Sequence, residues 1–282
     1  MSSKSPLDQF YTKPAIVDRV LNMVDCSGYD MVLEPSAGAG DFFKRLPPTT
    51  RVGLDLEPAA EGIRKGDFLE FKSPEEGSIL TIGNPPFGKN CSLAVKFFNH
   101  AATFSDCIAF IVPRTFRKPS IINRLHSNFH LLRQEILPLD SFYLPSGESY
   151  NVPTVFQVWK RQAEPRQRIE TFTSHSDFDF IKISFTGDNP TQAEKRQQYT
   201  QADFCIRRVG AQAGQIYKDY ATKYRDWKSH YYIKQHHAKV ELILGSIQWN
   251  TVESPKFDTV GNPSISKHDL VKLYIQTKEQ HE

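Results

Sequence analysis

The amino-acid sequence predicts an α/β fold: a mainly parallel sheet with helices on both faces, followed by a small C-terminal α+β unit. Three observations carry this expectation. Short apolar segments alternate with segments of helical periodicity from about residue 13 to residue 160, which implies right-handed βαβ units. Every unusual motif in that stretch falls at the carboxyl end of a predicted strand, where open α/β sheets bind ligands. After Lys160 the alternation stops, and the polar, proline-containing "RQAEPRQR" reads as a linker. The expected domains are residues 1–163 and residues 164–282.

Residues 13–24, "KPAIVDRVLNMV", set Ile16, Val17, Val20, Leu21 and Val24 at helical spacing behind Pro14, a residue suited to a first turn. "YDMVLEPS" reads as a strand and "GDFFKRL" as the start of a helix. "TRVGLDLEP" is a second strand, "RKGDFLEF" a short third and "SILTIGNPP" a fourth. The segment "CSLAVKFFNHAATF" then predicts a helix and "DCIAFIVPRTF" a fifth strand. A longer helix is expected over "PSIINRLHSNFHLLRQEIL", with "DSFYLP" and "VPTVFQVWKR" as two further strands. In the C-terminal part "FDFIKISF", "DFCIRRVG" and "SHYYIK" alternate as strands do, "GDNPTQAEKRQQYTQ" reads as a polar loop, and "SKHDLVKLYIQTKEQ" as a final helix.

Composition narrows the class. Of 282 residues, 39% are hydrophobic and 24% charged, ordinary values for a globular protein. The longest apolar run, Ile108 to Val112, is far too short to span a bilayer, and "MSSKSPLDQF" has no apolar secretory core. An intracellular protein with no membrane partner is expected. Cys26, Cys91, Cys107 and Cys205 are scattered without metal or redox spacing, so reduced thiols are expected rather than a disulfide framework. The one adjacent histidine pair, His236-His237, lacks a companion at ligand spacing, and no metal is expected. Net charge is +3, unevenly spread: −1 over residues 1–159 and +4 over residues 160–282. That tilt is compatible with a C-terminal part that faces phosphates.

"LEPSAGAGDF" places Gly38 and Gly40 directly after a strand, where the backbone can turn tightly and approach a ligand without Cβ clashes. A dinucleotide loop would carry a third glycine; here Phe43 stands in that place. Glu34 precedes the turn, which suits a ligand with an amino group better than a pyrophosphate. Asp55, at the end of the second strand, is placed to accept from two ribose hydroxyls, with Glu57 as the alternative. Asp67 and Phe68 after the third strand suit an adenine's amino group and ring face. A nucleoside without phosphates joined to a cationic amino acid describes S-adenosylmethionine.

Asn84-Pro85-Pro86-Phe87 ends the fourth strand. The Asn84 amide oxygen and the Pro85 carbonyl make two acceptors in a turn whose prolines fix φ and offer no competing N–H. Two such acceptors can converge on one exocyclic amine, and Phe87 can offer a face to a planar base. Positioning of that kind needs no strong general base. The plainer alternative is a strand-terminating Pro-Pro turn with a core phenylalanine.

On these motifs, over residues 8–160, the sequence resembles the class I S-adenosylmethionine-dependent amino-methyltransferases, and most of all the N6-adenine nucleic-acid enzymes. "DQFYTKP" resembles the element that contacts the methionine end of the cofactor in the gamma-ordered DNA adenine enzymes, a role that would fall to Phe10, Tyr11 and Thr12. The resemblance implies a Rossmann-like class I methyltransferase sheet. It assigns Glu34, Gly38 and Gly40 to the cofactor loop, Asp55 to the ribose, Asp67 and Phe68 to the adenine, and Asn84, Pro85, Pro86 and Phe87 to catalysis. "FIVPRTF" resembles a region upstream of a second aromatic for a flipped base, for which Phe116 is the candidate. In the C-terminal unit, Arg207, Arg208, Lys228 and Lys234 are candidates to hold a nucleic-acid backbone, with stacking from Tyr231, Tyr232 or Trp227; a solvated face is the alternative. The first expectation is methylation of adenine N6 in DNA. The alternatives are adenine N6 in RNA, a glutamine amide of a protein, or an inactive methyltransferase-like partner subunit.

Overall fold

In the computed structural model, which describes residues 10–74, 76–185, 191–219, 226, 228–259 and 261–280, the chain divides into two units, Met1–Ile169 and Glu170–Glu282. The division falls beyond the expected 163/164 boundary because residues 164–169 are tied to the first unit. The Arg166 guanidinium donates to the carbonyls of Ile122 and Leu125, and Ile169 N donates to Asn123 Oδ1 at 2.9 Å.

The first unit runs β1 (Tyr11–Thr12), α1 (Pro14–Leu21), β2 (Met31–Glu34), β3 (Arg51–Asp55), β4 (Ile63–Lys65), β5 (Ile79–Gly83), α2 (Ser92–Ala101), β6 (Cys107–Pro113), α3 (Pro119–Ile122), β7 (Phe129–Ile136), β8 (Phe142–Tyr143), β9 (Ser149–Tyr150) and β10 (Thr154–Arg161). Seven strands form one sheet in the order β4-β3-β2-β5-β6-β10-β7. Neighbours from β4 to β6 pair in parallel, and β10 pairs antiparallel with both β6 and β7. This is a Rossmann-like sheet, with strand order reversing between β2 and β5. Period-2 alternation assigns its two faces. Cys107, Ala109 and Ile111 of β6 join Val17 and Val20 of α1 in one core. Ile108, Phe110 and Val112 join Ala94, Phe97 and Phe98 of α2 in the other. Burial of about a dozen large apolar side chains on each face, at roughly 1.5–3 kcal/mol each, is what holds the layers together.

Three local expectations are corrected. "GDFFKRL" makes only a single 3-10 turn, Phe43–Arg45, because Pro47 and Pro48 forbid further helix. "RKGDFLEF" contributes its strand at Ile63–Lys65, and Phe68–Glu70 is a 3-10 turn capped by Asp67. The longer helix over 119–137 is one turn, α3, followed by the eight-residue strand β7. Backbone pairing with β10 outweighs the helical spacing of Leu131, Leu132 and Ile136.

The second unit comprises β11 (Phe178–Ile181), α4 (Gln192–Tyr199), β12 (Phe204–Arg207), β13 (Ile216–Tyr217), β14 (His230–Gln235), α5 (Val240–Ser246) and α6 (Lys267–Glu279). Its antiparallel sheet has the order β11-β14-β12-β13, and its own core includes Phe178, Tyr232, Trp249 and Tyr274. The segment expected as a polar loop contains α4. Its start is written as a capping box: Thr191 Oγ1 accepts from Glu194 N, and Glu194 Oε2 accepts from Thr191 N at 2.7 Å.

Candidate active site

Four strand ends build one cavity of about 360 Å³. The carboxyl end of β2 delivers Glu34 and the glycine loop, with Gly38 in the lining. From β3 come Asp55, Leu56 and Glu57; the turn after β4 supplies Asp67 and Phe68; β5 supplies Asn84, Pro85 and Pro86. Phe10, Tyr11 and Thr12 close the remaining side, held by antiparallel pairing of β1 with β8, which in turn pairs with β9. The glycine loop needs its glycine: Gly38 has φ +46°, and a Cβ there would lie 2.9 Å from the Tyr11 ring. Gly40, with φ +82°, shapes the loop against Ala60 and is outside the lining.

Charge in the cavity has one sign. Glu34, Asp41, Asp55, Glu57 and Asp67 line it, with no lysine, arginine or histidine among the lining residues described. Glu34 is 2% exposed, and its Oε2 is buried without a hydrogen-bond partner. Burial pushes its carboxyl well above the ordinary range, and the nearby Asp41 and Asp55 push the same way. Asp55 is held by backbone: Oδ2 accepts from Gly38 N at 2.7 Å and Oδ1 from Glu57 N at 2.8 Å. Asp67 Oδ1 likewise accepts from Leu69 N.

The Asn84 side chain presents a buried Oδ1 without a partner, while its carbonyl accepts from Ser36 Oγ at 3.0 Å. Immediately downstream the backbone is left-handed at two non-glycine residues, Asn90 (φ 53°) and Cys91 (φ 59°). Strain of this type, on the order of 1–3 kcal/mol per residue, collects at functional sites. Cys91 Sγ and Thr115 Oγ1 lie 2.9 Å apart, tying this loop to the turn after β6.

Several expected residues are placed otherwise. Phe87 is buried, its ring 5.2 Å from Phe10 in an edge contact, and it is outside the lining. Phe68 is 1% exposed and enclosed by Phe97 and His100, so it forms a wall with no open ring face. Phe116 is fully buried in the core beneath α2 and is withdrawn as a base-stacking residue. Tyr232 is a core residue stacked on Tyr199 and is withdrawn as well. Trp227 lies outside the described residues. Arg207 and Arg208 belong to the second unit. The Arg207 side chain donates to Val209 O at 2.9 Å, and the Arg208 guanidinium lies 5.4 Å from the Tyr231 ring. Lys234 pairs with Asp203 at 2.8 Å, and Tyr231 Oη donates to Ile265 O.

Sequence reasoning missed Ser36, Asp41 and Tyr143. The first two sit inside the quoted glycine motif, so their position was visible and their direction was not. Tyr143 Oη donates to Asp41 Oδ2 at 2.8 Å across 102 residues of sequence, a contact with no local signal. Among the described residues there is no group of three or more His, Cys, Asp or Glu placed to hold a metal ion, and no helix long and apolar enough to cross a membrane.

No known family model matches this sequence. The protein ENHANCED DOWNY MILDEW 2 of Arabidopsis thaliana is 31% identical over 172 residues, which take in 52% of this chain and 13% of that protein. The chain thus spans a small part of that relative's length. A dimethyladenosine transferase from Plasmodium falciparum superposes on 55% of this chain and 64% of its own, at 14% identity and a TM-score of 0.39. The 23S rRNA methyltransferase ErmE covers 96% of this chain and 100% of its own, at 11% identity and a TM-score of 0.41. Likeness at that level bears on neither substrate nor chemistry.

Proposed function

We propose that this chain is an S-adenosylmethionine-dependent methyltransferase acting on the N6 amino group of adenine in DNA. One observation carries the reading: a single cavity joins a one-signed carboxylate lining to the Asn84-Pro85-Pro86 turn. A lining without a cationic side chain repels a polyphosphate and suits a ligand carrying ammonium and sulfonium charges. The unpartnered Glu34 Oε2 and the close approach allowed by Gly38 fit such a ligand.

When bound, S-adenosylmethionine supplies an electrophilic methyl group on a sulfonium. The chain's part is to bind and orient. Asp55, immobilised by two backbone N–H groups, keeps lone pairs for two ribose hydroxyls. Asn84 Oδ1 accepts a hydrogen bond from the exocyclic amine, and the Ser36 hydroxyl fixes the Asn84 backbone while it does so. This aims the nitrogen lone pair along the line of transfer, the kind of alignment that supplies much of the barrier reduction in reactions without a strong base. A base within a duplex must first be extruded, at about a few kcal/mol.

The test is transfer of labelled methyl from S-adenosylmethionine to duplex DNA, single strands and total RNA, followed by nucleoside analysis. N6-methyladenine in DNA is the expected product. Label confined to RNA replaces DNA as the substrate, and label in neither overturns the reading. Asn84→Ala is expected to lose about 100-fold or more in turnover, with cofactor affinity unchanged within about twofold.

A further inference from the structure

Asp41 stands apart from the other carboxylates of the cavity. It lies on the far side of the glycine loop from Asp55, toward the Tyr11 wall. One of its oxygens, Oδ2, is fixed by the Tyr143 hydroxyl at 2.8 Å, and Oδ1 takes no hydrogen bond among the described residues. Tyr143 is itself positioned twice: its ring packs on Tyr11 at 5.5 Å, and its backbone pairs with Tyr11 in the β1–β8 register. Burial and the hydrogen bond to Asp41 push its phenol up to about 12, so it remains a donor across the neutral range. A second carboxyl, Glu34, feels the charge of Asp41. Its Oε2 is buried, unpartnered and part of the same lining.

We infer that Asp41, held in place by Tyr143, is the carboxylate that receives a primary ammonium group, that of the amino-acid end of the ligand. The inference rests on the cofactor reading above and adds to it the residue that reads the amino-acid end. An ammonium carries three donors and asks for several acceptors in different directions. Asp41 Oδ1 and Glu34 Oε2 are two acceptors without protein partners that line one cavity. A hydroxyl or a neutral thioether would leave this pair of carboxyl groups without a countercharge. Asp55 cannot take the role, since both its oxygens are turned toward backbone N–H groups of the loop that shapes the ribose side. Tyr143 is a positioning residue, because it acts through Asp41 and is not itself part of the lining.

The experiment is calorimetric titration of the full chain and its variants with two ligands that differ at the amino-acid end. S-adenosylhomocysteine carries the ammonium and carboxylate; 5′-methylthioadenosine lacks both and keeps the nucleoside and sulfur. Asp41→Asn is expected to weaken S-adenosylhomocysteine about tenfold or more, as for loss of a hydrogen bond to a charged group. Its affinity for 5′-methylthioadenosine should stay within about twofold of wild type, which also shows that the variant is folded. Tyr143→Phe should weaken S-adenosylhomocysteine alone, by a smaller factor, about threefold. Equal losses on both ligands in Asp41→Asn, or no loss on either, overturn the assignment while leaving the cofactor reading in place. A wild-type chain that binds neither ligand overturns both.

Discussion

At the scale of the residue, Glu34 is where burial and ligand chemistry oppose each other. Its carboxyl is almost wholly removed from water, and burial holds it neutral above its ordinary value of 4.5. The folded chain therefore keeps a proton that the unfolded chain releases. The stability tied to that proton is complete below about 4.5 and is lost as pH rises through the elevated folded value. Glu34→Gln should remove this dependence. In thermal melts of the ligand-free protein, the variant's advantage over wild type should widen from pH 4 toward pH 8; a gap independent of pH contradicts the assignment. Tyr150 is the second residue of interest. With Phe87 and Phe116 buried, the ring of Tyr150, 40% exposed and 5.3 Å from Phe10, is the one proposed to stack on the target base. Stacking is worth roughly 1–3 kcal/mol per base. Tyr150→Ala should raise KM for nucleic acid by about fivefold to a hundredfold with cofactor affinity unchanged, measured by steady-state kinetics against titration.

At the scale of the element, β7 is the informative case. Its sequence has the apolar spacing of a helix, and it is a strand because β10 offers it an eight-residue partner. Phe129 anchors it, fully buried between Phe98 and Trp159 with the Arg161 guanidinium 4.8 Å from its ring. Phe129→Ala should cost about 3–5 kcal/mol in denaturant unfolding; a value below about 1 kcal/mol would contradict this packing. As the last strand of the sheet, β7 has an unpaired edge. The register shift between Val158 and Trp159 leaves Leu132 without an opposite residue, Arg133 and Glu135 put charge on the strand, and Pro138 follows it. A bulge, charges and a nearby proline are the ordinary defences of an edge against pairing with another chain. The helices α1 and α2, by contrast, were legible from spacing alone, since each presents one apolar face to an already apolar sheet. The strands β2, β3, β5 and β6 were legible as well, because buried parallel strands read as unbroken apolar runs.

At the scale of the whole molecule, charge is separated. The chain carries +3, yet its one carboxylate-rich cavity is lined without a cation. Two binding behaviours should follow. A nucleic acid is held by many screened phosphate contacts, so its affinity should fall steeply and linearly with log salt. The cofactor meets enclosed groups, so its affinity should change by less than about twofold between 50 and 200 mM salt. Titrations of each ligand at several salt concentrations check this, and a cofactor affinity as salt-sensitive as the nucleic acid's would place its contacts in open solvent.

The sequence by itself determined the strand–helix alternation of the first unit and the residues that meet at its strand ends, since glycine loops, strand-end acids and a Pro-Pro turn are local instructions. Only the tertiary structure decided which rings face a ligand and which fill the core. Phe116, Phe87 and Tyr232 have the same chemistry as Tyr150, and nothing local separates them; the distinction arises when α2, Phe10 and Tyr199 cover the first three. The same holds for Asp41. Its chemistry was written in the glycine motif, but its direction is set by Tyr143, brought to it by two-residue strands whose pairing no single segment of sequence encodes. Burial and long-range hydrogen bonding are properties of pairs of segments, and they appear only when the chain has folded.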